Sequence, residues 1–246
     1  AQGTAENPII FTSNAGSPQP GDWKGIYFRD ETDDASTILE HCVVEYGGHT
    51  HNANIYCASA SPTIKNSTIR YSSVCGIYLS GSSNPVIGGE EAGNTISNNG
   101  TYGIYSYDAS PFPTITHNTI SNNGTYPIRV GAVMNVSGNT ISGNGNQAIE
   151  VVGENVTPKS TTWKNEGIPY IVTGDVTVRY SSVNSDTATL TIEPGVEVRF
   201  NSGKGLYIGR EYYGNYYGAL LAQGTAENPI IFTSNAGSPQ PGDWKG

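Results

Sequence analysis

Basic residues are scarce in this chain: Lys and Arg number 12 against 21 Asp and Glu, a net charge of −9. A nucleic-acid binder needs a basic face to neutralise phosphate, so no nucleic-acid partner is expected and the surface reads as soluble and self-repelling. No apolar run approaches the ~18 residues of a membrane-crossing helix, so no membrane span is expected in this segment. Charged residues are only 13% of the chain, yet hydrophobic residues reach 36%, which is not the balance of a disordered polypeptide. Helix formers are few, and no run carries the helical period. Methionine occurs once, at Met134, and there is neither a starting Met nor a signal peptide. Ala1 falls inside a patterned segment, so the chain reads as cut from something longer.

What is abundant is glycine, with 31 residues, and visibly Asn, Ser and Thr. Short alternating runs such as "PIIFT", "VEVRF" and "GIYL" recur, giving an all-β composition. A weak internal repeat runs through the chain, as in "PTIKNSTIRYSSVCGIYL" (62–79) and "PTITHNTISNNGTYPIRV" (113–130). Three apolar columns can be read off it. One is Leu39, Ile64, Ile87, Ile115 and Val136; a second is Val44, Ile69, Ile96, Ile120 and Ile141; the third is Ile26, Ile55, Ile77, Ile104, Ile128 and Ile149. Alternation around the third column puts the first and third residues of each triplet inward and the middle one outward. Three columns imply three sheets around one core. The same order of motifs in every line implies parallel strands and a solenoid rather than a sandwich of hairpins.

Two residues before the second column stand Cys42, Ser67, Asn94, Asn118 and Asn139. Asn at a corner can hydrogen-bond backbone groups that the turn leaves unpaired. The columns, together with "LTIEPGVEVRF", "GALLAQGTAENPIIFTS" and "PGDWKGIYF", resemble the right-handed parallel β-helix family, the pectate-lyase-like solenoids and their bacterial and archaeal surface-protein relatives. That resemblance implies an all-β, right-handed three-sheet parallel β-helix. It also implies that Asn94, Asn118 and Asn139 bond to one another as a corner ladder. The crossover preference of parallel strands favours the same hand.

Chemistry-bearing clusters are sparse. Cys42, Cys57 and Cys75 fall in different columns, so no disulfide is expected and their spacing makes a poor zinc site. His49 and His51 lack a third ligand, and Asp30, Asp33 and Asp34 lack EF-hand spacing, so both read as polar loops and no metal is expected. Polysaccharide lyases of the resembled fold use a basic residue beside acidic Ca²⁺ ligands; Lys65, Arg70 and Arg129 have no acidic column beside them. No nucleophile motif is present, no residue receives a catalytic role, and no cofactor is expected. Outward tyrosines form one column at Tyr27, Tyr56, Tyr78 and Tyr105 and another at Tyr102 and Tyr126. The run "YYGNYY", with Tyr212, Tyr213, Tyr216 and Tyr217, reads as an excursion from the coil and a candidate contact patch for a cell-surface glycan or a neighbouring chain. Among five N-x-S/T sequons, Asn99 and Asn123 share one turn of successive coils and are the expected exposed glycosylation sites; the others are Asn66, Asn135 and Asn155.

The largest signal is a repetition. The segment 1–25, "AQGTAENPIIFTSNAGSPQPGDWKG", recurs letter for letter at 222–246, so that Ala222 stands where Ala1 does. The chain is therefore divided as one repeat unit, 1–221, and the start of the next copy, 222–246. The stretch 161–180 departs from the coil pattern and reads as a junction. No capping helix is visible. The expected function is a structural repeat of a long extracellular or cell-surface fibre, sheath or stalk, whose partners are copies of itself end to end. A β-helix polysaccharide-processing enzyme and a glycan-binding adhesin are the alternatives.

Overall fold

The computed structural model describes residues 1–107, 111–157, 161–180, 186–211 and 215–246. Among them there are strands and turns but no helix. They form two compact units: Ala1–Arg129 with Val136–Gln147, and Val130–Asn135 with Ala148–Gly246.

In the first unit every strand pair is parallel. One sheet stacks Ile9–Phe11, Cys42–Glu45, Thr68–Arg70, Thr95–Ser97, Thr119–Ser121 and Thr140–Ser142. Another stacks Ile38–Glu40, Thr63–Lys65, Val86–Gly88 and Thr114–Thr116. The third runs from Ile26–Phe28 through Ala53–Ala58, Cys75–Ser80 and Ile104–Ser106 to Ile128 and Arg129. The registers align Val44, Ile69, Ile96, Ile120 and Ile141 in one column, and Leu39, Ile64, Ile87 and Ile115 in the next. Ile26, Ile55, Ile77, Ile104 and Ile128 form the third. The interior members are buried, each contributing about 1.5–3 kcal/mol, while Ile26 and Ile141 at the column ends are half-buried.

The corners have a local cause. Each strand of the first sheet beyond Ile9–Phe11 is followed by a left-handed residue: Tyr46, Tyr71, Asn98, Asn122 and Gly143. Most have another just ahead of them, at His41, Asn66, His117 and Gly138. Asn, His and Gly tolerate this region better than other residues, which explains their concentration at the bends. The two exceptions, Tyr46 and Tyr71, stack on each other with ring centroids 5.4 Å apart.

The second unit also coils. Its sheets are Ile149–Val151, Tyr170–Val172, Glu197–Phe200 and Ile231–Ser234; Asn155–Val156, Val176–Val178 and Leu206–Ile208; and Thr161–Trp163, Ala188–Ile192 and Gly218–Ala222, all parallel. The stretch 161–180, which the sequence sets apart as a junction, supplies one strand to each of these three sheets and is a regular coil. Its pattern is disguised because Trp163 and Tyr170 take core positions. Their rings stack at 5.3 Å and 20°. Among the described residues the one antiparallel pair is Arg210–Glu211 with Asn215–Tyr216. It brackets the expected excursion; Tyr212 and Tyr213 lie outside the described residues.

Candidate functional site

Two side-chain ladders close the corners of the first unit. In the first, the backbone N–H of Cys42 donates to Ser67 Oγ, that of Ser67 to Asn94 Oδ1, that of Asn94 to Asn118 Oδ1 and that of Asn118 to Asn139 Oδ1, each at 3.0 Å. The side-chain amides run in the same direction: Asn94 Nδ2 donates to Asn118 Oδ1 at 2.9 Å and Asn118 Nδ2 to Asn139 Oδ1 at 3.1 Å. The Nδ2 groups of Asn94, Asn118 and Asn139 satisfy the carbonyls of Ile64, Ile87 and Ile115. Buried backbone groups at a bend need such partners, because an unmade bond costs about 1–3 kcal/mol.

The second ladder lies five residues further along each coil, where the sequon motif masks it in the sequence. Ser72 N–H donates to Asn99 Oδ1, Asn99 N–H to Asn123 Oδ1 and Asn123 N–H to Asn144 Oδ1, at 3.0, 3.2 and 3.0 Å. Asn99 Nδ2 donates to Asn123 Oδ1 and Asn123 Nδ2 to Asn144 Oδ1, both at 2.9 Å, and Gln147 Oε1 receives the N–H of Asn144 at 2.8 Å. This corrects the reading of Asn99 and Asn123 as exposed glycosylation sites: they are 2% and 1% exposed, and both Nδ2 groups are donors inside the coil. The sequon is a by-product of the corner. Asn serves the ladder, and Gly leaves room for the adjacent coil. A Cβ on Gly100, Gly124 or Gly145 would lie 2.2, 2.1 and 2.2 Å from the carbonyl oxygens of Ser73, Gly100 and Gly124. Thr101 and Thr125 then continue the backbone bonding through Thr101 N–H to Val74 O and Thr125 N–H to Thr101 O, both 2.7 Å. Gly124→Ala is therefore expected to destabilise by about 2 kcal/mol, since a backbone oxygen must yield. Gly237→Ala, with nothing within 4 Å, is expected to stay within about 0.5 kcal/mol. Urea midpoints compare the two. Of the other sequons, Asn66 is half-buried, whereas Asn135 and Asn155 are exposed.

The outer faces are occupied by their own residues. Tyr56 stacks on Tyr78 at 4.7 Å and 10°, and Tyr78 on Tyr105 at 4.9 Å and 30°. Tyr27 meets Tyr56 edge-on at 4.8 Å and lies against His51 at 4.5 Å. The Arg29 and Arg129 guanidinium groups sit over Tyr27 and Tyr105 at 5.2 and 4.5 Å. Burial, with the neighbouring phenols, pushes the Tyr78 hydroxyl well above its ordinary range. Tyr102 and Tyr126 stack at 6.1 Å. Of the run "YYGNYY", Tyr216 lies under the Arg179 guanidinium at 5.1 Å and Tyr217 is 46% exposed.

Among the described residues charges pair with one another, mostly between coils. Lys65 meets Glu40 at 3.0 Å and Arg70 meets Glu45 at 2.8 Å, each pair in register on adjacent strands. Asp34 accepts the Ser61 N–H at 2.6 Å. His49 is exposed, and among the described residues no three His, Cys, Asp or Glu side chains group to hold a metal. All three thiols are free and buried; burial pushes Cys75 up to about 11 and raises Cys42 and Cys57. Among the described residues no helix is long and apolar enough to cross a membrane.

The repeated segment is the most informative surface. Both copies build the same local structure. Asn7 N–H donates to Thr4 Oγ1 and Asn228 N–H to Thr225 Oγ1, both at 3.0 Å; Ser13 Oγ donates to Asp22 Oδ2 at 2.6 Å and Ser234 Oγ to Asp243 Oδ2 at 2.9 Å. Gln19 and Gln240 N–H donate to the same two carboxylates at 2.9 and 2.8 Å. The copies differ in which neighbour they bond. The first pairs with the coil after it: Gly3 N–H donates to Glu40 O, Ile9 N–H to His41 O, and Trp23 O accepts from His49 N–H. The second pairs with the coil before it: Ile231 N–H donates to Val196 O, Asn235 N–H to Phe200 O and Lys245 N–H to Lys204 O, and Asp243 O accepts from Gly203 N–H.

Parallel coils whose corners are closed by stacked Asn side chains define a β-solenoid. The chain belongs to the right-handed parallel β-helix family: the model described as "Right handed beta helix region" matches residues 12–161 and 94–235. No match was found among curated proteins or among solved structures.

Proposed function

We propose that this chain is a structural repeat of a long extracellular or cell-surface β-solenoid, a fibre, sheath or stalk, in which one unit, residues 1–221, leads into the next. One observation carries the reading. The same segment folds into the same local structure in both places, once paired forwards and once paired backwards. A coil able to pair in both directions suits an internal turn of an array, not a cap. The paired charges and self-stacked tyrosines fit a scaffold. Because the ring faces of the Tyr56–Tyr78–Tyr105 column are taken up by one another, that column gives no support to a glycan-binding role.

Negative-stain electron microscopy of the native protein tests the proposal. Extended rods are expected. Compact single particles alone would overturn it.

A further inference from the structure

Among the described residues, the second unit carries an open groove that is almost wholly apolar. Phe200, Leu206, Leu220, Phe232, Trp244 and Gly246 line it. Three of these positions belong to the repeated segment, and in the first unit their counterparts contact the coil that follows. Phe11, the counterpart of Phe232, pairs with Val44 of the following coil, whereas Phe232 pairs with Val198 of the preceding one, and both are half-buried. Trp23, the counterpart of Trp244, donates its indole N–H to Glu45 O at 2.8 Å. Gly25, the counterpart of Gly246, lies so close to the following strand that a Cβ would stand 2.3 Å from Ala53 O and 2.7 Å from Asn54 O. At Gly246 a Cβ would meet nothing within 4 Å, although its φ of +78° resembles the +91° of Gly25. Gly21 and Gly242 differ in the same way: a Cβ on the first would stand 3.3 Å from Ser73 Cβ, and a Cβ on the second would meet nothing within 4 Å.

The backbone bonds divide in the same way. In a parallel sheet the N–H and C=O groups of alternate residues point to opposite neighbours. The edge turned to the following coil uses the N–H groups of Gly3 and Ile9 and the carbonyl of Trp23. The edge turned to the preceding coil uses, in the second copy, the N–H groups of Ile231, Asn235 and Lys245 and the carbonyl of Asp243. These correspond to Ile10, Asn14, Lys24 and Asp22 in the first copy. The two sets share no atom, so one such coil can serve both neighbours at once.

We infer that the groove of the second unit is the docking seat for residues 26–58 of a second copy of this repeat, held through Gly224, Ile230 and Trp244. The inference rests on the solenoid-repeat reading and names the contact surface that the reading requires. The occupant is fixed by the first unit, where residues 26–58 already cover the identical sequence.

The test compares the 246-residue chain with a longer one in which residues 1–221 precede residues 1–246, followed by amide hydrogen exchange. In the 246-residue chain Gly224 and Ile230 are expected to exchange about 100-fold faster than Ile231 and Asn235. In the longer chain, the internal copy of the segment should protect all four alike. Gly246→Ala should lower the urea midpoint of the 246-residue chain less than Gly25→Ala does, because only the left-handed φ and no neighbouring atom opposes it. The same change in the internal copy of the longer chain should lower it as far as Gly25→Ala does. If the longer chain forms rods but its internal Gly224 and Ile230 positions stay fast, the seat is wrong while the repeat reading survives. If the longer chain is compact, the repeat reading falls and this inference with it.

Discussion

Asn123→Leu is expected to lower the stability of the first unit by about 4–6 kcal/mol, from four buried partners losing their bonds at roughly 1–3 kcal/mol each with partial relaxation. The side chain is 1% exposed. Its Oδ1 accepts from both the backbone N–H and the Nδ2 of Asn99, at 3.2 and 2.9 Å. Its Nδ2 donates to Ile96 O at 3.2 Å and to Asn144 Oδ1 at 2.9 Å. Leucine has the same number and branching of side-chain heavy atoms, so the shape is kept, its larger methyl groups add to the cost, and most of the loss comes from orphaned polar groups. A domain of ordinary stability holds only about 5–15 kcal/mol, so the variant should stand near the edge of folding. Asn146→Ala, at an exposed position two residues beyond the ladder, should remain within about 0.5 kcal/mol. Urea unfolding followed by circular dichroism separates them. The midpoint should fall for Asn123→Leu with the slope unchanged, and an unchanged midpoint would show that the ladder adds no net stability.

The apolar columns were legible because a parallel coil brings one residue to the same inward phase on every turn. Ile69, Ile96 and Ile120 needed only alignment, and the structure places them in register. The second Asn ladder was hidden by a competing local motif. In "NNGT" the sequon reads as an exposed acceptor, and nothing within four residues reveals burial. A longer-range signal was there. Asn94 and Asn99, Asn118 and Asn123, and Asn139 and Asn144 keep one separation while the coils advance by 24 and then 21 residues. A shared drift of that kind marks two corners flanking one strand. The coil at 161–180 escaped for another reason. Its inward positions hold Trp163 and Tyr170, whose polar tips break the aliphatic pattern although each has an internal acceptor. The two edges of the repeated segment could not be read at all, since identical letters do not say which alternate backbone groups are already bonded.

Trp163→Ala is expected to cost about 4 kcal/mol in the second unit, within the range for emptying a large aromatic site. The indole is 1% exposed and stacks on Tyr170, and its Nε1–H donates to Ala132 O at 2.8 Å. Alanine would leave a cavity, strip one face of the Tyr170 ring and orphan a buried carbonyl. Trp163→Phe separates these terms. It retains most of the apolar area and the ring contact, and loses the hydrogen bond, so about 1–2 kcal/mol is expected. Tyr170 is held in place by its own bond to Lys164 O at 2.6 Å, and burial keeps its hydroxyl protonated well beyond the ordinary phenol range. The stacking partner should therefore stay where it is when Trp163 is shortened, and the cavity should not collapse. Trp23 and Trp244 remain as fluorescent reporters in both variants. Equal losses for Ala and Phe would mean that the single bond to Ala132 O, and not the filled core, holds this coil.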